Sequence, residues 1–291
     1  MEMTSDIVGL RSRCCETELT WRQTMNYAAA VGDSNPWYLD DQREGGIIAP
    51  PMLSVALTWP LLERYPEFWG DHVPIEIIQR QVHYTERLIW RRPMRPGDKL
   101  SIQGELVAIQ PHRGGTLMSG CYTATDASGE VVFEEYGGAL LRGVRCVDGG
   151  RVLRPLPTTP NFPDTGEILW ERVVPIDPLA AHVYDGCTNI VFPIHTSVQF
   201  ARFVGLPGTI LHGTATLSIA VREIVNTEAG ADPTRLESVS CCFTGMVVPG
   251  TQITLRVKAK SCTAERTEIF FDVLNGAGKR ALSDGYVLIR I

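Results

Sequence analysis

Apolar and polar side chains alternate in two sets of segments, and the sets occupy equivalent places in the two halves of the chain. The alternation predicts strands at 76–84, 99–109, 116–125 and 131–144 in the first half, and at 235–243, 252–261, 268–274 and 280–291 in the second. β-Branched and aromatic residues are frequent in these segments, as they are in half-buried strands. We expect antiparallel strands in each half.

A mostly apolar segment precedes each set of strands. These segments, at 47–57 and 209–220, open with turns rich in glycine or proline. Their length and composition predict a buried helix rather than an amphipathic surface helix. The pairs Pro96-Gly97 and Pro249-Gly250 mark turns at equivalent points of the two halves. The sequence therefore predicts an internal repeat of an α+β unit.

Two windows of polar residues align across this repeat without a gap. The first window, 27–38, reads Tyr-Ala-Ala-Ala-Val-Gly-Asp-Ser-Asn-Pro-Trp-Tyr, and the second, 184–195, reads Tyr-Asp-Gly-Cys-Thr-Asn-Ile-Val-Phe-Pro-Ile-His. The alignment places Tyr27 on Tyr184 and Tyr38 on His195. Each window holds part of one active-site motif.

Taken together, the windows resemble the motif of the MaoC-like, or (R)-specific enoyl-CoA hydratase 2, family. That motif runs Tyr, a short spacer and Gly-Asp-x-Asn-Pro-Leu-His, with Leu-His-Gly further on at the start of a long helix. The first copy retains Gly32, Asp33, Asn35 and Pro36. The second copy retains Pro193, His195, His212 and Gly213.

Both copies also depart from the family motif. In the first copy Tyr38 stands where the family has its histidine. In the second copy Ile190 stands at the aspartate position and Phe192 at the asparagine position. Neither copy carries the complete Asp/His pair.

The resemblance implies a double hotdog fold of class α+β. In this fold two tandem hotdog units each wrap a curved antiparallel sheet around a central helix. We assign 1–147 to the first unit and 166–291 to the second, with a linker at 148–165 where glycines and prolines replace the periodic pattern.

Hydration of a 2-enoyl thioester needs a base for water, an acid for the α-carbon and donors for the enolate oxygen. The resemblance implies that His195 is catalytic and that the backbone N–H of Gly213 faces the thioester carbonyl. Aligning the two helix starts places Pro50 on His212 and Pro51 on Gly213. Because proline has no N–H, we expect the first unit to be non-catalytic and to accommodate the acyl chain.

The identity of the acid is open, because Ile190 replaces it. Asp185 is the nearest carboxylate in sequence, Asp33 is a second choice and a partner chain a third. Asn189, with Thr188, is a candidate for holding water. Asp33 and Asn35 are candidates either for substrate contact or for forming a turn. His212 is expected to bind substrate or to hydrogen-bond at the start of the helix.

Composition excludes several classes of function. The net charge of −6 and the pI of about 5.6 argue against a nucleic-acid surface. Eight cysteines without Cys-x-x-Cys spacing indicate reduced thiols and no metal site. No phosphate-binding motif, signal peptide or long apolar run is present, so we expect no cofactor, no membrane contact and a cytoplasmic location.

The sequence thus favours an acyl-thioester hydro-lyase, of the 2-enoyl-CoA hydratase or 3-hydroxyacyl-CoA dehydratase type. One alternative is a catalytically silent acyl-CoA-binding subunit of a hotdog complex. Another is a lyase or isomerase with altered chemistry on a specialised metabolite. The substrate is expected to be a CoA or carrier-protein thioester, and a homodimer or a second hotdog subunit is a possible partner. Five arginines are candidates for the CoA phosphates: Arg80, Arg87, Arg91, Arg92 and Arg113.

Overall fold

The computed structural model describes residues 1–161 and 166–291. Its strands in the first half are β1 (Glu2–Met3), β2 (Cys15–Glu18), β3 (Gln81–Trp90), β4 (Lys99–His112), β5 (Gly115–Asp126), β6 (Val131–Arg142), β7 (Arg145–Cys146) and β8 (Arg151–Val152). Those in the second half are β9 (Trp170–Pro175), β10 (Leu236–Phe243), β11 (Gln252–Cys262), β12 (Arg266–Asn275) and β13 (Arg280–Arg290).

The helices are mostly short. They are α1 (Trp21–Ala30), α2 (Pro36–Leu39), α3 (Ser54–Glu63), α4 (Tyr65–Trp69), α5 (Ile75–Ile78), α6 (Ala180–Thr188), α7 (Val198–Phe203) and α8 (Gly213–Glu228). Single 3₁₀ turns lie at Pro51–Leu53 and Pro233–Arg235.

One 11-stranded sheet runs through both halves in the order β2-β4-β5-β6-β3-β10-β13-β12-β11-β9, with β8 added beside β4. The order within the second half mirrors that of the first. The halves join through antiparallel pairing of β3 with β10, where Glu86 lies opposite Cys241 and Arg87 opposite Ser240. This is the double hotdog arrangement predicted from the repeat.

The two central helices start in the same way but differ in length. Pro50 (φ −52°, ψ 130°) precedes the first helix and its 3₁₀ turn, and His212 (φ −56°, ψ 137°) precedes α8. The backbone therefore supports the alignment of Pro50 with His212. Helix α8 has 16 residues and α3 only 10, with Pro60 in its last part. A proline inside a helix removes one backbone hydrogen bond, which favours the early end of α3.

Several predicted boundaries are wrong, although seven of the eight predicted strands lie on observed ones. The strand predicted at 76–84 starts only at Gln81, because α5 follows Pro74 and buries Ile77 and Ile78 together. The helix predicted from 47 starts later, since the backbone N–H of Ala49 donates to Met94 at 2.8 Å in an extended segment.

The division into 1–147, 148–165 and 166–291 stays a prediction, and residues 162–165 of the linker lie outside the described residues. Thr159 in the linker accepts a hydrogen bond from Arg87 and lies 3.0 Å from the hydroxyl of Ser240. Arg87 and Ser240 are paired across the β3–β10 junction. The linker therefore crosses the line where the two halves meet.

In the described ranges, no helix combines the length and apolar character needed to cross a membrane.

Candidate active site

His195 lies in a turn between α6 and α7, and its ring is held by one backbone oxygen. Nδ1 is 2.8 Å from the carbonyl oxygen of Ile210. Since a carbonyl only accepts, Nδ1 carries the hydrogen and Nε2 carries the free lone pair. Burial lowers the pKa of His195 to about 4, although the contact with Ile210 acts in the opposite direction. The imidazole is therefore neutral at neutral pH and can accept a proton.

The ring of His212 stacks on that of His195. Their centroids are 3.6 Å apart and their planes differ by 23°. His212 is 2% exposed, and its Nε2 lies 3.1 Å from the carbonyl oxygen of Ile190. Burial, together with the neighbouring His195, lowers the pKa of His212 to about 3. Two neutral rings stack without charge repulsion, so His212 fixes the plane of His195.

Gly213 is the first residue of α8. A Cβ atom at this position would lie 2.8 Å from Cδ1 of Phe243 on β10, which is closer than real Cβ contacts. Only glycine therefore lets β10 pack against the start of the helix. The N–H groups of a first helical turn have no partner within the helix, and they carry the positive end of its dipole. Gly213 thus offers a donor to a developing negative charge.

Asp185 lies on α6, below the loop that carries His195. Its Oδ2 is buried without a hydrogen-bond partner. Burial raises the pKa of Asp185, while the backbone N–H of Phe192 lowers it. Within residues 1–161 and 166–291 no hydrogen bond or ion pair joins Asp185 to His195. The carboxyl group is thus coupled to the loop, and the imidazole is oriented by a carbonyl instead.

The loop itself is built by the end of α6. Asn189 is the C-terminal cap in the left-handed conformation, with φ 58°, and its side chain is exposed. The hydroxyl of Thr188 donates to the carbonyl of Tyr184 at 2.6 Å and accepts from the N–H of Ile190 at 3.2 Å. These bonds direct the carbonyl of Ile190 to His212. Thr188 and Asn189, which the sequence suggested for holding water, thus stabilise the end of α6 and the loop that follows it.

Asp33 and Asn35 form a turn in the first unit. Asn35 caps α2 by accepting from the N–H of Trp37 at 3.0 Å, and its amide donates to Ala231 at 2.9 Å. Asp33 accepts from the N–H of Asn35 at 3.1 Å. Burial raises the pKa of Asp33. The sequence left two roles open for Asp33 and Asn35, substrate contact and turn formation, and these contacts form a turn.

Asp33 is also remote from His195. It borders a cavity of about 20 Å³, roughly the room of one water, together with Arg222 of α8. Arg222 is nine residues beyond Gly213, which corresponds to about 13 Å along the helix axis. The structure therefore does not bring Asp33 and His195 into one site.

Some of the arginines that were candidates for binding the CoA phosphates form salt bridges with carboxylates instead. Arg91 pairs with Glu134, while Arg92 pairs with Asp98 and Asp126. Sequence reasoning missed Arg202, which is exposed on α7 directly after the His195 loop. Its position in the helix that follows a candidate catalytic residue was the available signal.

Sequence reasoning also missed a group of buried polar side chains between the two central helices. The group consists of Tyr27, Tyr184, Thr58, Thr214, Ser218, Glu86 and Glu135. The signal for the two glutamates was their inward position in strands whose other inward residues are apolar, such as Leu88 and Phe133.

Family models match both halves. Residues 165–279 match the model of the MaoC like domain, and residues 6–135 match that of the FAS1-like dehydratase domain region. These matches confirm the resemblance drawn from the motif windows.

Three relatives are named as a fatty acid synthase subunit or as enoyl-CoA hydratases. Fatty acid synthase subunit beta of Aspergillus oryzae is 42% identical over 113 residues, 38% of this chain and 5% of that protein. Probable enoyl-CoA hydratase 2 of Dictyostelium discoideum is 26% identical over 61% of this chain and 58% of that protein. Enoyl-CoA hydratase ChsH3 of Mycobacterium tuberculosis is 24% identical over 86% of this chain and 87% of that protein. The chain spans less than two thirds of the length of the first two.

Solved structures share the fold. A MaoC-like dehydratase from Phytophthora capsici superposes with a TM-score of 0.83 at 21% identity, covering 97% of each chain. A Mycobacterium tuberculosis protein described as having a double hotdog fold superposes with a TM-score of 0.65 at 14% identity, covering 98% of this chain and 96% of the other.

Proposed function

We propose that this protein is an acyl-thioester hydro-lyase, because residues 165–279 match the model of the MaoC like domain and the fold is a double hotdog. It adds water reversibly to a 2-enoyl thioester, or removes water from the 3-hydroxyacyl product. The observation that carries the proposal is the neutral His195, held by Ile210 and stacked on His212 at the start of α8.

In the hydration direction, Nε2 of His195 takes a proton from water while the water oxygen bonds to the β-carbon. The π electrons of the double bond move towards the thioester carbonyl, whose oxygen accepts the N–H of Gly213. The α-carbon of this enolate then takes a proton from an acid. Asp185 is the proposed acid, since its raised pKa favours the protonated form and its partner Phe192 belongs to the His195 loop.

The substrate is proposed to be a CoA thioester that enters beside α7. Phe192, Phe200 and Phe203 form a row of aromatic rings with neighbouring centroids 6.3 Å apart, and Phe203 is 84% exposed. Phe192 is also 6.3 Å from the ring of His195. An apolar surface with Arg202 beside it suits pantetheine and phosphate groups.

The loss of enone-thioester absorbance tests the proposal, with a panel of short, long, branched and aromatic 2-enoyl-CoAs. We expect turnover in the unchanged protein and a loss of about 10²–10⁴-fold in His195→Ala. His72→Ala is the matched control, because His72 is exposed and lies in the first unit, outside the loop that carries His195. Turnover that survives His195→Ala would remove the assigned base.

A silent acyl-thioester-binding subunit is the second candidate, favoured because no carboxylate of residues 1–161 or 166–291 bonds to His195. It predicts no turnover across the panel, retained binding of acyl-CoA, and co-purification of a second hotdog chain that is active.

A further inference from the structure

Among the described residues, neither carboxyl oxygen of Glu86 on β3 has a hydrogen-bond partner of normal geometry, although the backbone N–H of Arg87 lowers its pKa. The Glu86 side chain is fully buried. Nε2 of His83 lies 3.0 Å from Oε2, but without the alignment of a hydrogen bond. Burial raises the pKa of Glu86 to about 8. A buried acceptor without a donor costs about 1–3 kcal/mol, so its presence needs an explanation.

A second buried carboxyl group lies close by. Glu135 on β6 is 4% exposed, and the hydroxyl of Thr58 donates to its Oε2 at 2.7 Å. Burial raises the pKa of Glu135, and the charge of Glu86 raises it further. In the described part of the chain, Thr58 is the one side chain that donates a hydrogen bond to either acidic group. The pair lacks the donors that buried carboxyl groups normally have.

Two glycines lie beside this pair. Gly137 lies opposite Glu86, and Gly120 lies opposite Gly137 on the next strand. A Cβ at Gly137 would lie 3.7 Å from Cε2 of Tyr122, and a Cβ at Gly120 would lie 3.0 Å from its hydroxyl. The row next to Glu86 thus has no Cβ at two successive positions, and the Tyr122 side chain lies over it. His83 keeps 41% of its side-chain surface accessible, which opens the row to solvent.

The row also leads to Gly213. Glu86 pairs with Cys241, so Phe243 is its diagonal neighbour on the same face, at about 7–8 Å. Phe243 packs on Gly213 and lies 4.5 Å from the ring of His83. An acyl chain whose carbonyl oxygen meets Gly213 would reach the two carboxyl groups if the Phe243 ring turned aside.

We propose that Glu86 and Glu135 bind a hydrogen-bond-donating group, a hydroxyl or an amine, on the acyl chain of the substrate. The substrate class is thus a polar-substituted acyl thioester rather than a plain fatty acyl thioester. This inference rests on the proposed function for the position of the thioester, but it concerns binding and not turnover.

Isothermal titration with saturated acyl-CoAs tests the binding directly. Each chain length is compared with a terminal methyl, hydroxyl or amino group. We expect one polar group to bind about tenfold or more tightly than methyl, as a hydrogen bond to a carboxyl group allows. Glu86→Leu should abolish this preference. Glu105→Gln is the matched control, since Glu105 pairs with Arg11 and Arg154 on another part of the sheet.

Stability separates a ligand role from a structural one. If Glu86 exists for a ligand, Glu86→Leu raises the unfolding temperature or leaves it unchanged, because leucine removes an unpaired buried acceptor. If Glu86 holds the fold, Glu86→Leu lowers the unfolding temperature, and the proposal fails. Glu135→Gln gives a second measure of the preference in a variant of unchanged volume.

The outcomes distinguish this inference from the proposed function. Equal affinity for methyl, hydroxyl and amino chains, or a preference that survives Glu86→Leu, overturns the polar-acyl inference even if hydration is observed. Absence of turnover with a polar preference that depends on Glu86 overturns the hydratase proposal and supports the binding site.

Discussion

The phenol oxygens of Tyr27 and Tyr184 lie 3.1 Å apart in the centre of the molecule, where neither side chain is exposed. The rings meet edge to face, with centroids 5.8 Å apart. These tyrosines open the two motif copies, so the mirrored order of the sheet brings equivalent residues into contact. Their surroundings differ, because Tyr184 donates to Thr214 while Tyr27 bonds to Ser218 at 2.8 Å.

A double-mutant cycle measures how strongly the two tyrosines hold the units together. Tyr27→Phe and Tyr184→Phe should each lower the free energy of unfolding by about 1–2 kcal/mol, because each leaves buried hydroxyl partners unpaired. The double variant should cost less than the sum, by about 0.5–1.5 kcal/mol. Urea unfolding gives these values. Tyr84→Phe, at a half-buried ring on β3, is the control and should change little. Strict additivity would mean that the hydroxyl contact contributes nothing.

The repeat and the α+β class of each unit followed from the sequence because both signals are local, whereas the hotdog fold came from the family resemblance. Alternation along 252–261 and the Pro-Gly turns depend on side chains within a few residues of each other, and the observed strand β11 covers that segment. The start of α5 did not follow. Ile77 and Ile78 fit a strand equally well by composition, and only the packing after Pro74 decides for a helix turn.

The site was predictable only in part. His195 and Gly213 are marked by motif spacing, and the structure places both at the start of α8. The stacking of His195 on His212 and the carbonyl of Ile210 depend on loop geometry that no spacing encodes. The position of Asp33, far along α8, follows from how the two units pack and not from the alignment of the windows.

Packing at Gly213 gives the next prediction. Gly213→Ala places a methyl group 2.8 Å from Phe243, so we expect a loss of about 1–3 kcal/mol in unfolding free energy. Gly186→Ala in α6 is the matched control, because a Cβ there meets nothing within 4 Å. That variant should be neutral or slightly more stable, as alanine favours helix. Thermal unfolding compares the two.

A second substitution separates packing from chemistry at the same position. Phe243→Leu in the Gly213→Ala background should recover most of the lost stability, since the shorter side chain makes room for the methyl group. Alanine keeps the backbone N–H, so hydration should recover with the packing. If stability returns and turnover does not, Phe243 has a direct role in placing the acyl chain.

The acid can be assigned by two matched substitutions. Asp185→Asn should lower kcat by about 10²–10⁴-fold, the range of a lost general acid, with little change in acyl-CoA binding. Asp33→Asn should leave kcat within about twofold, because the contacts of Asp33 are with Asn35 and Arg222 and no hydrogen bond joins it to His195 in the described residues. Steady-state kinetics on one enoyl-CoA decide between them. A large loss in Asp33→Asn alone would require a different substrate position.

Glu86 should make the protein less stable as pH rises. Its pKa of about 8 in the fold exceeds the unfolded value of about 4.3, so the folded state holds an extra proton between these values. The stabilising contribution is complete below pH 4.3 and is lost as pH rises through 8. Urea unfolding across this range should show a steeper decline in the unchanged protein than in Glu86→Gln. Equal slopes would show that Glu86 titrates normally.

The two stacked histidines should act in the opposite direction at low pH. Their pKa values of about 4 and about 3 lie below the unfolded value of about 6.5, so folding favours the neutral rings. Their contribution is complete above pH 6.5 and is lost as pH falls through 4, with an upper bound of about 3 kcal/mol for His195. His195→Gln should therefore flatten the decline in unfolding free energy below pH 6.5. The same pKa predicts a level kcat/KM down to about pH 5, since the base stays unprotonated there; a fall centred near pH 6.5 would show that solvent reaches the His195 ring.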